Sequence, residues 1–157
     1  MKLTSVTLAA ALIGTAAFAA ETDPKAVKFD DYGAVEASLS GMAGDPEKGA
    51  VIMATKSKGN CVACHEISAL DAPFQGNVGP SLDGAGDRWG AAELRGLVVN
   101  AKMMFEGTVM PAFYKVDGFT RPGDAYTGKA GTEPLPPLLS AQEIEDVVAF
   151  LATLKDE

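Results

Sequence analysis

Cys61-Val62-Ala63-Cys64-His65 holds both cysteines and the one histidine of a 157-residue chain. Two thiols three residues apart lie on one side of a helical turn, roughly 5–6 Å apart at Cβ. That spacing suits two vinyl groups on one edge of a porphyrin, so each sulfur can close a thioether. The imidazole that follows at once can turn onto the iron. The pattern C-x-x-C-H reads as c-type haem attachment, and imidazole and thioether sulfur are the usual ligands of electron-carrying haem. The expectation is one covalently attached haem c, with Cys61 and Cys64 as anchors and His65 as an axial ligand of its iron.

Other uses of the same residues fit less well. A thioredoxin-like C-x-x-C sits after a strand in a βαβ unit, and no strand pattern precedes Cys61. A structural zinc site wants four ligands, mostly Cys and His, and two Cys with one His leave it one short. A Cys61–Cys64 disulfide would close a very small loop and leave His65 idle. With no second imidazole the chain supplies neither bis-histidine ligation, nor a Ser-His-Asp triad, nor a two-His zinc helix. The sixth ligand must be another side chain, an external group or nothing.

The length is a prior for one domain, and 47% apolar content is ordinary for a globular protein. A net charge of −8 argues against a nucleic-acid partner. A basic protein surface is the more natural one to meet, since opposite charge steers encounter.

Residues 1–19 read as a signal peptide: Lys2 gives the positive start, Val6 to Ile13 is apolar apart from Thr7, and Ala17-Phe18-Ala19 is an A-x-A site with cleavage just before Ala20. An uncleaved anchor is the alternative, disfavoured by the small residues and by Glu21 and Asp23 close behind. With Lys2 gone, 12 of 13 basic residues remain against 21 acidic ones, a charge of about −9. No later segment is long or apolar enough to span a bilayer. The expected location is the periplasm, which fits thioether attachment outside the cytoplasm. Residues 20–44 are polar, with Phe29, Tyr32, Val35 and Leu39 scattered among them, and predict a loosely packed arm over a domain of residues 45–157.

Asp45-Pro46 opens the first helix, Asp as cap and Pro at the first helical position. It is expected to run to about Lys56, with Gly49, Ile52 and Met53 on one face. After His65 an irregular Gly- and Pro-rich stretch runs to Trp89. Gly84-Ala85-Gly86 is not a nucleotide loop, because the next glycine comes one place late and no strand precedes it. Such a stretch suits haem, since glycine lets backbone lie against a flat ligand. Pro80 is a candidate to accept a hydrogen bond from the outer nitrogen of His65, fixing the ring and raising its basicity. Arg88 and Trp89 are candidates to bind a haem propionate; the plain alternative is a surface arginine and a packed tryptophan.

Ala91 to about Ala101 predicts a helix with Leu94, Leu97, Val98 and Ala101 on one stripe. Three methionines then compete for the sixth position. Met103 and Met104 sit at a helix end, where methionine commonly fills core gaps. Met110 lies in a loop between Gly107 and Pro111 and is the preferred ligand, with Met104 in reserve. Residues 112–139 show no periodicity and carry Phe113, Tyr114, Phe119 and Tyr126, aromatics that suggest a protein contact surface or a cover for the haem edge. Ser140-Ala141-Gln142-Glu143 is a capping box opening a last helix to about Leu154, with Ile144, Val147, Val148, Leu151 and Leu154 as its apolar stripe. Val147 and Phe150 are placed to meet Gly49 and Met53, where Gly49 lets two backbones cross.

Together these pieces resemble the class I cytochrome c fold, all-α, with helices packed around one covalently bound haem. Gly59-Asn60-Cys61-Val62-Ala63-Cys64-His65, Phe74-Gln75-Gly76-Asn77-Val78-Gly79-Pro80-Ser81-Leu82, Met110-Pro111-Ala112-Phe113-Tyr114 and Ile144-Glu145-Asp146-Val147-Val148-Ala149-Phe150-Leu151 are similar to the SoxX family, the monohaem subunits of the SoxXA complex of bacterial thiosulfate oxidation. That resemblance implies His65 and Met110 as axial ligands. It implies a SoxA-like monohaem or dihaem cytochrome as partner, a SoxYZ-like carrier reached through the complex, and a soluble cytochrome c as electron acceptor. It also implies an electron-transfer subunit of a heterodimeric L-cysteine S-thiosulfotransferase, not catalytic by itself. Two other readings stand beside it: a free diffusible periplasmic cytochrome, and a gas-binding haem sensor, which would need a vacant or labile sixth site. The arm and the long 112–139 segment favour the subunit, since a small carrier needs neither.

Overall fold

The described residues, 20–123 and 127–156 of a computed structural model, contain α1 (Pro46–Ala54), α2 (Ala85–Arg88), α3 (Ala91–Asn100) and α4 (Ala141–Leu151). Short 3₁₀ turns occupy Pro24–Ala26, Cys61–Ala63 and Ala101–Met103. The expected signal peptide and Tyr126 lie outside the described residues. Among those residues there is no strand, only an isolated antiparallel bridge between Gly123 and Ala130.

Asp45 caps α1 as its sequence predicts, its Oδ1 accepting from the N–H of Glu47 at 3.0 Å and of Lys48 at 3.2 Å. The helix stops at Ala54, short of Lys56. Thr55 turns extended, and its N–H and that of Gly59 both donate to the Ile52 carbonyl. Helix α4 opens on the full capping box, with Ser140 Oγ accepting from Glu143 N–H and the Glu143 carboxylate accepting from Ser140 N–H at 2.8 Å. It ends at Leu151, and the chain continues in a turn that still buries Leu154.

Helices α1 and α4 cross at Gly49, where an added Cβ would strike the Asp146 carbonyl and the Phe150 Cβ. Phe150 is thus met as expected, and the Asp146 backbone passes beside it. The core beneath the crossing joins Ile52 and Met53 to Leu94, Val98 and Val99 of α3 and to Ile144, Val147, Val148 and Leu151 of α4. Burial of each such side chain stabilises the fold by about 1.5–3 kcal/mol.

The arm is not loose. Val35 and Leu39 join the core. Arg95 on α3 and Glu145 on α4, only 9% and 5% exposed, form a bidentate pair at 2.9 to 3.2 Å. The same two side chains hold the arm's backbone: Arg95 donates to the Val35 carbonyl at 2.7 Å, and Glu145 accepts from Leu39 N–H at 2.7 Å. The charged pair flanks the apolar stripes without interrupting them, so helical periodicity gives no warning of it.

The described residues of 112–139 carry no helix, as their pattern suggests, yet they fold back on themselves. Leu135 N–H donates to the Val116 carbonyl, and the Glu133 carboxylate accepts from Phe119 N–H at 2.9 Å. Phe113 and Tyr114 are core residues, not surface aromatics. The Tyr114 hydroxyl donates to the Thr22 carbonyl at 2.6 Å, which ties this segment to the arm.

Candidate haem site

Asn60 adopts the left-handed conformation, φ 48°, and swings the chain from α1 into Cys61–Ala63. There the N–H groups of Cys64 and His65 both donate to the Cys61 carbonyl, at 3.1 and 3.0 Å. The helical turn expected of C-x-x-C-H is therefore a single 3₁₀ turn. Both thiols are free; Cys61 packs against the core edge and Cys64 is exposed. Burial pushes the Cys61 thiol up to about 12.

The loop after His65 lies back along the motif. Gly76, Gly79 and Leu82 donate their N–H groups to the carbonyls of Val62, Cys64 and Glu66, at 2.8, 2.8 and 2.9 Å. The Gln75 side chain braces the same loop, accepting from Ile67 N–H and donating to the Ile67 and Leu70 carbonyls. Gly79 lies flat on the His65 ring, where any Cβ would overlap it. Pro80 then presents its carbonyl 2.7 Å from His65 Nδ1. A carbonyl only accepts, so Nδ1 carries the proton and Nε2 keeps its lone pair. Among the described residues nothing bonds to Nε2.

Met110 is half-buried against the core. Its N–H donates to Thr108 Oγ1 at 3.2 Å, and its carbonyl accepts from Lys102 Nζ at 2.8 Å. Met103, 50% exposed, does not fill the core as expected, because the 3₁₀ turn after α3 carries it outward. The backbone of Met103 and Met104 lies under Gly33 of the arm. Arg88 is exposed and donates to the carbonyls of Asp83 at 2.7 Å and Ser81 at 3.2 Å, bracing the loop beyond Pro80. Trp89 is half-buried and meets Phe105 edge-to-face, with ring centroids 6.2 Å apart.

This donor set fits a covalently held haem: two free thiols three residues apart in the chain, a histidine with its inner nitrogen free, and a thioether on a separate loop. Among the described residues no group of three or more His, Cys, Asp or Glu could hold another metal, and no helix is long and apolar enough to cross a membrane. Gln75 and Lys102 escaped the sequence reading, because side-chain bonds to loop backbone leave no periodic trace; the neighbouring glycines and Pro111 were the nearest signals.

A family model described as cytochrome c matches residues 46–155. The crystal structure of SoxXA from P. pantotrophus contains a chain 66% identical, matched over 87% of this chain and 100% of that one, with a TM-score of 0.84. Ferric cytochrome c-550 from Paracoccus versutus is 24% identical over 72% of this chain and 99% of that one, with a TM-score of 0.38. No curated protein sequence matches.

Proposed function

This chain belongs to the SoxX family of class I cytochromes c, and on that premise we propose that it is the electron-transfer subunit of a periplasmic complex with a SoxA-like cytochrome. Its cofactor is one covalently bound haem c, which supplies a one-electron couple. Cys61 and Cys64 would anchor it by thioethers, His65 Nε2 and Met110 sulfur would be the donors to its iron, and Arg88 and Trp89 are candidates for its propionates.

The observation that carries this reading is the His65–Pro80 bond, which orients the ring and leaves Nε2 its lone pair beside two uncommitted thiols. The proton held at Nδ1 makes the imidazole a better donor through Nε2. A thioether as the second donor disfavours the ferric state and raises the reduction potential. With both donors in place no position would be left for oxygen or a sulfur substrate, and both cysteines would be taken up by anchoring. The chain therefore accepts electrons from chemistry done elsewhere, in the SoxA-like partner working on a SoxYZ-like carrier, and passes them to a soluble cytochrome c. Residues 1–19 are proposed as the leader removed on export.

Capture of the mature protein from native periplasm, with mass spectrometry of what co-purifies, tests the reading. A SoxA-like haem protein is the expected companion. Migration alone at monomer size would instead mark a free carrier, and ready binding of carbon monoxide to the ferrous protein would mark a sensor.

A further inference from the structure

The loop bearing Met110 has firm ends and a weakly held middle. Upstream, the N–H groups of Met104 and Phe105 donate to the Ala101 carbonyl, at 3.1 and 2.8 Å. Downstream, Phe113 and Tyr114 donate to the Val98 and Val99 carbonyls of α3, at 3.3 and 3.2 Å. Between them Thr108 N–H donates to the Phe105 carbonyl and Met110 N–H to the Thr108 hydroxyl, both bonds local to the turn. Gly107 has open space around it, Val109 is exposed and Pro111 has no N–H to give. Among the described residues one hydrogen bond reaches residues 106–112 from outside the turn: Lys102 Nζ to the Met110 carbonyl, 2.8 Å. Lys102 is itself placed by the Ala101–Met103 turn, whose cap Asn100 accepts from Lys102 N–H.

We propose that Lys102 is a positioning residue for Met110, its ammonium closing the loop through the Met110 carbonyl and so setting how long the sulfur stays on the iron. This rests on Met110 as the sulfur ligand. Thioether sulfur is a soft, neutral donor and ferric iron a hard acceptor, so the bond depends on how fully the loop is held in place. A charge-assisted bond to the residue's own carbonyl is the direct way to hold it. The Met110 side chain is untouched by this bond, so the role differs from that of a ligand.

The test uses the mature, full-length holoprotein and the rate at which imidazole replaces the native ligand of the ferric form. The weak sulfur-to-iron absorption band toward the red is recorded alongside. Lys102→Met should keep the band and take up imidazole roughly five-fold faster, the size of one net hydrogen bond. Lys102→Arg, which keeps donor and charge, should return the rate to within about two-fold of the wild type. Lys129→Met removes the same charge from an exposed site and should leave the rate unchanged. Equal rates for Lys102→Met and wild type, equal acceleration by Lys129→Met, or no rescue by Lys102→Arg would each overturn the proposal while leaving Met110 as ligand. A band that survives Met110→Ala would remove the ligand assignment, and the role of Lys102 with it.

Discussion

His65 Nδ1 and the Pro80 carbonyl stand 2.7 Å apart, and the intervening glycine, Gly79, lies against the ring they orient. Because the acceptor is backbone, Pro80→Ala should preserve the bond and leave the low-spin ferric spectrum nearly unchanged. Gly79→Ala should not, since its methyl would occupy the place of the imidazole. Overpacking of this kind costs about 1–3 kcal/mol, and here it displaces a ligand. The expected result is a high-spin component in the ferric spectrum of Gly79→Ala and a lowered melting temperature. A wild-type spectrum for Gly79→Ala would show that the ring does not depend on this contact.

The Arg95–Glu145 pair joins α3, α4 and the arm in one buried cluster. Removing one charge strands the other. Glu145→Ala is expected to cost about 3–5 kcal/mol, measured by urea unfolding. Arg95→Met with Glu145→Met should recover part of that loss, though the Val35 carbonyl and Leu39 N–H stay unsatisfied at about 1–3 kcal/mol. A double variant no better than Glu145→Ala would mean that the arm's backbone bonds, not the stranded charge, dominate.

What could be read from the chain beforehand divides along a physical line. The capping residues Asp45 and Ser140 and the crossing at Gly49 were legible because they rest on local hydrogen bonds and helical spacing. His65 with Pro80 was legible because ligand chemistry demands a partner for the outer nitrogen. The short helix α2 was not: four residues between glycines are too few to show a period. The arm packs more tightly than its sequence predicts, because its anchors, Arg95 and Glu145, are charged residues whose burial depends on one another. The burial of Phe113 and Tyr114 does not show in the sequence, because a loop between helices has no apolar face to count along.

Acid should weaken the fold through carboxylates that accept from backbone N–H groups. Asp45 is held below the usual carboxylate range by the Lys48 N–H and ammonium, Asp83 by the Ser68 hydroxyl and N–H, and Asp87 by the Asp156 N–H and Lys155. A folded-state pKa below the unfolded one means the stabilisation is full above the unfolded value and is lost as pH falls through the folded value. The melting temperature should be level above pH of about 5 and fall below about 4. Asp45→Asn keeps the cap, since asparagine serves as well there, and should show a shallower acid decline. An unchanged decline would exclude Asp45 as a contributor.

Met110 and Met104 can be told apart by substitution. Met110 packs at the core edge with both backbone polar groups bonded, while Met104 closes a 3₁₀ turn beneath the arm. Met110→Ala should abolish the sulfur-to-iron band, open the ferrous protein to carbon monoxide and lower the reduction potential, with haem still covalently attached through Cys61 and Cys64. Met104→Ala should keep the band and exclude carbon monoxide, and should lose stability by at most about 2–5 kcal/mol, the range for removing a buried methionine. The reverse pattern, with Met104→Ala losing the band, would move the ligand six residues up the chain and require the loop to refold around the haem.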